Sequence, residues 1–212
     1  MLDTRPLKTQ GHRPQAVPTQ ALAELLAAEW RDQPDQVDAA RFQYRDMADY
    51  ALDVVAADPA EVVAKLLRYA ETDTLNYRAD PDEPLYQRQR ALWEPLVTAA
   101  EDRLGVAFVR VSGVMHRPQK AATLAALRTH IESLDAFTLA ALETLTSIAA
   151  SLIIGLAALE PDADAAALYA AAHAEEDWQA ELWGQDWEAE ERREKRLAAF
   201  VRAADFARAA RA

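Results

Sequence analysis

The stretch DAFTLAALETLTSIAASLIIGLAALE, from Asp135 to Glu160, decides the fold class. Asp135 is suited to cap a helix, and the chain behind it is apolar nearly all round from Ile148 to Leu159. Such a helix has no solvent face, so it belongs either in a bilayer or at the centre of a bundle. Glu143 and a string of Thr and Ser residues interrupt the run from Leu139 to Leu159. The uncharged part that remains is too short for a bilayer crossing, so a buried helix at the middle of a bundle is expected.

Helical pattern continues on both sides of this stretch. Leu124, Leu127, Ile131 and Leu134 mark a helix after Pro118, while Pro161 and Asp162 punctuate the chain before two further helices. A helix from about Leu85 to Leu104 places Leu85, Leu92, Leu96 and Ala100 on one side, carries Pro95 within it and ends at Gly105. Asp58-Pro59-Ala60-Glu61 combines a capping acid, a proline at the first helical position and a glutamate able to return a bond, and Val62, Val63, Leu66 and Leu67 give that helix a buried side. Thr19 caps another, with Leu22, Leu25, Leu26 and Trp30 on one face before Pro34. A helix after it carries Met47, Tyr50, Ala51 and Val54 inward.

Strands are few. Thr74 to Arg78 alternates, with Leu75 and Tyr77 against Asn76, and Val106 to Val111 is the second strand-like run. Met1 to Val17 holds prolines, Gly11 and isolated apolar residues, a pattern of short strand or turn pieces. The polar, proline-rich run Ala79-Asp80-Pro81-Asp82-Glu83-Pro84 marks a boundary. The expected architecture is α+β and predominantly helical, with a small N-terminal α/β domain over residues 1–80 and an all-helical C-terminal domain over residues 81–212.

A net charge of −12 argues against nucleic acid or an anionic membrane as partner, and Arg192-Arg193-Glu194-Lys195-Arg196, the one basic run, is flanked by acids. The absence of cysteine excludes disulfides and thiolate chemistry and fits a cytoplasmic setting, as does an N-terminus without an apolar signal region. The five glycines form no phosphate-cradling loop or nucleophile elbow. No cofactor and no small-molecule substrate is expected. His173, Glu176 and Asp177 share a helical face and could hold a metal, although a solvated polar face is the ordinary meaning of that spacing. Glu188 with Arg192 and Glu191 with Lys195 are expected as four-residue ion pairs on an exposed helix.

Two features go beyond a plain bundle. Leu168, Ala171, Glu175, Trp178 and Leu182 recur at spacings of three and four, which turns Glu175 inward and obliges it to find a partner, with Arg68, Arg78 or Arg128 as candidates. Trp178, Trp183 and Trp187 crowd into ten residues around Gly184, a composition that suits either an interface or a core cluster. Trp30, Trp93 and Trp178 are expected as structural anchors, and Trp178 and Leu182 as inward-packing residues.

Five segments in order resemble one known family. They are Leu2-Asp3-x-Arg5-Pro6-Leu7-Lys8-Thr9; Val17-Pro18-Thr19-x-x-Leu22-Ala23 with Ala28-Glu29-Trp30; Tyr69-x-Glu71-Thr72-Asp73-Thr74-Leu75-x-Tyr77-Arg78; Gln89-x-x-x-Trp93-Glu94-Pro95-Leu96; and Glu175-Glu176-Asp177-Trp178-Gln179-x-x-x-Trp183-Gly184. The chain resembles the ATP synthase F(1) assembly chaperones, in the branch that binds the α subunit, as a bacterial counterpart of the mitochondrial type. The resemblance implies no catalysis, a cytoplasmic location (the mitochondrial matrix for eukaryotic relatives), and a chaperone that shields the free α subunit until β subunits replace it. It also implies that the N-terminal sheet lacks its first strands, that Thr4 stands where a glycine is usual, and that Asp46 and Asp49 give a different local surface. The partner-binding residues implied are Glu175, Glu176, Gln179, Trp183 and Gly184. The alternatives are a small helical metal-binding protein or enzyme using His173, Glu176 and Asp177, and a helical adaptor for another partner.

Overall fold

A computed structural model describes residues 5–113, 115–184 and 186–212. Leu2, Asp3 and Thr4, on which part of the first family segment and the expected glycine replacement fall, lie outside the described residues. Ten α-helices are present among the described residues, together with one two-stranded sheet, so the chain is predominantly helical α+β.

Local chemistry sets most helix starts. Thr19 Oγ1 accepts from Leu22 N and opens α1 (Gln20–Arg31). The next helix, α2 (Gln43–Tyr50), runs into a π-turn at Ala51–Val55. Asp58 accepts from Glu61 N at the start of α3 (Pro59–Glu71), whose Val62, Val63, Leu66 and Leu67 are buried as expected. α4 (Pro84–Leu104) contains Pro95 and stops at Gly105, whose φ of 64° is the left-handed conformation that glycine adopts without penalty. Its inward face is Gln89, Trp93, Val97 and Ala100 rather than the Leu85 and Leu92 side, and Leu92 is 41% exposed. The indole explains the rotation, because Trp93 is fully buried and donates Nε1–H to Ala171 O at 2.7 Å.

The bundle is completed by α5 (Ala121–Glu132), α6 (Ala136–Ala149), α7 (Leu152–Ala158), α8 (Ala165–Ala172), α9 (Ala174–Trp183) and α10 (Trp187–Ala210). Helix α6 is the central member and packs against α2, α3, α7 and α10. The continuous apolar helix expected through Leu159 is broken in two. Ala150 turns to φ 49°, and Ser151 caps α7 by accepting from Ile154 N. The break is held from a distance by Asp73, which accepts from Ser151 Oγ at 2.7 Å, Ile153 N at 3.0 Å and Leu75 N at 3.0 Å. Glu143, which interrupts the apolar run, is buried on α6 and paired with Lys65 Nζ at 2.5 Å and the Tyr50 hydroxyl. After Pro161 there are three helices where two were expected, because the chain turns at His173 between α8 and α9.

The strand-like runs contract. Thr74–Asn76 is a 3-10 turn and only Tyr77–Arg78 forms β1, while Val106–Val111 reduces to β2 at Val111–Ser112. The two pair in parallel, Tyr77 with Val111 and Arg78 with Ser112. Side chains make up for so short a ladder. Arg110 reaches Glu101 at 2.6 Å and Glu94 at 2.9 Å, and Arg78 reaches Glu94 at 2.6 Å, pinning both strands to α4.

The N-terminal pieces form a loop closed by an antiparallel bridge between Lys8 and Pro14. Asp49 and Asp53 fasten it. Asp49 accepts from Gln10 N at 3.2 Å and Gln15 Nε2 at 2.5 Å, and Asp53 from Thr9 Oγ1 and Gly11 N, both at 2.7 Å. Asp49 is therefore buried and not part of the local surface expected of it, whereas Asp46 is exposed and pairs with Arg45. Val54, expected inward, is 48% exposed, because the π-turn commits Ala51 and Val55 to the core instead. One cluster of buried apolar side chains includes residues from both sides of the 79–84 run, among them Leu22, Leu66, Trp93, Leu142, Ile153 and Phe206.

Candidate functional site

The last family segment forms α9 and the corner that follows it. His173 ends α8 and stacks on Tyr169 with ring centroids 4.0 Å apart, while its Nδ1 is hydrogen-bonded to Tyr169 O at 2.8 Å. Burial pushes its imidazole below the usual range. With Ala174 buried beneath it, α9 leaves this point with three sides.

One side faces α4. Gln89 Nε2 donates to Glu175 Oε1 at 2.5 Å, Arg88 pairs with Glu181 at 2.6 Å, and the Arg88 guanidinium lies 5.8 Å from the Trp178 ring centroid. A second side faces α10, where Asp177 pairs with Arg193 and Glu176 stands 4.0 Å from Arg196. The third side carries exposed Gln179, 57% exposed Leu182 and 79% exposed Trp183. Gly184 then turns the chain at φ 92°, and Trp187 opens α10 at 73% exposure. A Cβ at Gly184 would meet nothing within 4 Å, so the turn needs glycine for its backbone conformation and not for space.

The residues expected to bind a partner therefore divide. Gln179, Trp183 and Gly184 share the exposed corner, Glu176 is exposed beside α10, and Glu175, one turn before Gln179, is half-buried and held to α4 by Gln89. Trp93 is the anchor expected of it, and Trp30 packs on Phe42 at 4.5 Å and is half-buried. Trp178 is half-buried under Arg88. Leu182 is not inward, because the turn at His173 resets the phase of α9 relative to Leu168 and Ala171. Nor does Glu175 meet an arginine. Arg78 is taken by Glu94 and Arg128 by Glu132, and the neutral Gln89 amide holds Glu175 instead. The expected exposed pairs do form, Glu188 with Arg192 at 3.7 Å and Glu191 with Lys195 at 2.7 Å.

The metal alternative loses its ligand set. His173 is directed to Tyr169 and Asp177 to Arg193, and among the described residues no group of three or more His, Cys, Asp or Glu side chains could hold a metal ion.

Sequence reading missed what surrounds Glu175. A cleft of about 340 Å³ is lined by Glu175, Thr72, Thr74, Tyr77 and His116. Tyr77 Oη lies 2.7 Å from His116 Nδ1, and the two rings meet edge to edge through this bond, with planes 11° apart and centroids 6.5 Å apart. Burial raises the Glu175 carboxyl above its usual range, partly countered by the bond from Gln89. Thr72, Thr74 and Tyr77 all fall inside the third family segment.

Comparison with known proteins gives one family. Its model, described as ATP12 chaperone protein, matches residues 1–101. The crystal structure of Atp12 from Paracoccus denitrificans is similar at 38% identity and a TM-score of 0.94, covering 99% of this chain and 90% of that one. The Atu1473 protein of Agrobacterium tumefaciens is also 38% identical, with a TM-score of 0.91 over 98% of this chain and 77% of that one. The mitochondrial protein atp12 of Schizosaccharomyces pombe is 27% identical over 195 residues, 86% of this chain and 67% of that protein.

Proposed function

Because this chain belongs to the ATP12 chaperone family, we propose that it is a non-catalytic assembly chaperone of the F-type ATP synthase, holding the free α subunit of the F(1) sector in the cytoplasm until β subunits replace it. The observation that carries this reading is the α9–α10 corner. Among the described residues, seven large apolar side chains are exposed, and three of them, Leu182, Trp183 and Trp187, fall within the six positions from 182 to 187. Two exposed tryptophans beside a turn cost solubility unless a partner covers them, and tryptophan is the side chain most enriched among residues that dominate interface energy.

Docking here needs no chemistry for release. A competing subunit that binds the same apolar surface more favourably is sufficient. The corner belongs to residues 81–212, a unit that is helical apart from β2, the partner of β1 in residues 1–80. Affinity purification of the tagged chain from its host is the test, and strong enrichment of the ATP synthase α subunit is expected. Trp183→Ala should weaken that complex by about 2 kcal/mol, roughly thirtyfold. If the α subunit is not enriched with the unmodified chain, the proposal fails.

A further inference from the structure

We propose that the cleft lined by Thr72, Thr74, Tyr77, His116 and Glu175 receives one arginine side chain of the protein partner, with Glu175 as counter-ion and the nearly coplanar Tyr77 and His116 rings as a wall. The inference rests on the docking function proposed above and adds to it the chemistry of a second contact.

Several of the carboxylates that this fold buries or half-buries are well supplied, although Glu71 takes only the Gln119 N–H. Glu143 has Lys65, Glu101 has Arg110, Asp177 has Arg193, Glu29 accepts from the backbone N–H groups of Tyr44 and Arg45, and Asp73 accepts from Ser151, Leu75 and Ile153. Glu175 differs. Its single hydrogen bond comes from the neutral Gln89 amide to Oε1, and no Lys, Arg or His among the described residues pairs with it. A carboxylate held half out of water without a cation is costly to the fold, and that cost is recovered when a cation arrives. Burial raising the Glu175 carboxyl is the same cost seen in its protonation.

The rest of the cleft is suited to a donor-rich planar cation. Thr74 Oγ1 donates to Ala150 O at 2.9 Å, which leaves its lone pairs for an incoming N–H. Thr72 Oγ1, 3.5 Å from Arg68 O, has the same capacity. Tyr77 and His116 present nearly parallel ring planes, on which a guanidinium stacks better than a compact ammonium. Arginine is therefore favoured over lysine. An arginine bound here would approach from the α4 side of α9, opposite in role to the apolar corner at Leu182, Trp183 and Trp187.

Titration of the intact chain with L-argininamide, followed by the ring resonances of Tyr77 and His116 in NMR, tests the cleft without the partner. Saturable shifts are expected, absent with L-citrullinamide, the uncharged isostere, and absent in Glu175→Gln. Resonances that do not move, or that move equally with both compounds, overturn the inference. The α-subunit complex is measured in parallel across a salt series. Glu175→Gln should weaken it about tenfold and flatten its salt dependence, while Trp183→Ala weakens it and leaves the salt slope unchanged. Equal binding by Glu175→Gln and the unmodified chain at every salt concentration overturns the cleft assignment and leaves the chaperone function standing. An α subunit that binds neither removes the chaperone function, and the argininamide titration then decides the cleft alone.

Discussion

Glu175 and Arg110 show how differently two half-buried charges behave in one fold. Glu175 is raised by burial and meets only an amide, so its ionised form is disfavoured in the folded state relative to the unfolded chain. Its contribution is fully present below the ordinary carboxyl range and is lost as pH rises through the raised value. Glu175→Gln should therefore melt at or above the temperature of the unmodified chain, by a margin that is larger at pH 7.5 than at pH 4. Differential scanning calorimetry at the two values checks this. Glu94 and Glu101 have the opposite sign. Burial raises them, but the hydrogen bonds from Arg110 outweigh it and hold both below the usual range. Their stabilisation is present above the ordinary carboxyl range and is lost as pH falls through the depressed values. Arg110→Met should cost about 1–2 kcal/mol at pH 7, and the gap should close towards pH 3 in urea unfolding. At this scale the sequence was legible where one residue type has one ordinary use, as with the buried indole of Trp93. The Glu175 cleft was not legible, because it joins Tyr77, His116 and Glu175 across three separate parts of the chain, and periodicity reports only what neighbours along one element share.

Among the elements, the α6–α7 break is the best example of a local pattern overruled from afar. Asp135 to Glu160 reads as one helix, apolar nearly all round from Ile148 to Leu159, and its apolar pattern demands no stop at Ala150. The stop comes from Asp73, 78 residues away from Ser151, which supplies acceptors to the exposed N–H groups of the new helix start. Helix α7 then folds back on α6 so closely that a Cβ on Gly155 would lie 2.4 Å from Thr146 Oγ1. Gly155→Ala is expected to destabilise by about 1–3 kcal/mol, measured by chemical denaturation, since the neighbour is itself buried in the core. A small effect there would show that the two helices can separate. The caps at Thr19, Asp58 and Asp135 were legible because capping is a matter of three or four adjacent residues. The strands were over-read for the complementary reason. Alternation in Val106 to Val111 reflects packing on α4, with Phe108 buried and Arg110 salt-bridged, and little of it reflects sheet pairing.

For the whole molecule, the buried cluster contains α1 and α3 residues from before the 79–84 run together with α4, α6, α7 and α10 residues from after it. A shared core of this kind predicts one cooperative unfolding transition for the full chain, with near-ultraviolet and far-ultraviolet circular dichroism melting together. Two separated transitions would instead mark residues 1–80 and 81–212 as independently stable. The predominantly helical α+β class could be read from composition and periodicity, because a helix apolar on all sides leaves few other architectures. The small parallel sheet could not, since each of its strands is two residues long and is held mainly by Arg78 of β1 and by Arg110 just before β2.

The tryptophans also make the chain its own optical reporter. Trp93 is sealed from solvent, while Trp183 and Trp187 are 79% and 73% exposed. Indole emission shifts to longer wavelength in water and to shorter wavelength when water is removed. Unfolding must therefore redden the light from Trp93, whereas covering the α9–α10 corner must turn the light of Trp183 and Trp187 blue. Engagement and loss of structure move the same spectrum in opposite directions, so the unlabelled protein can be watched choosing between them in a single cuvette.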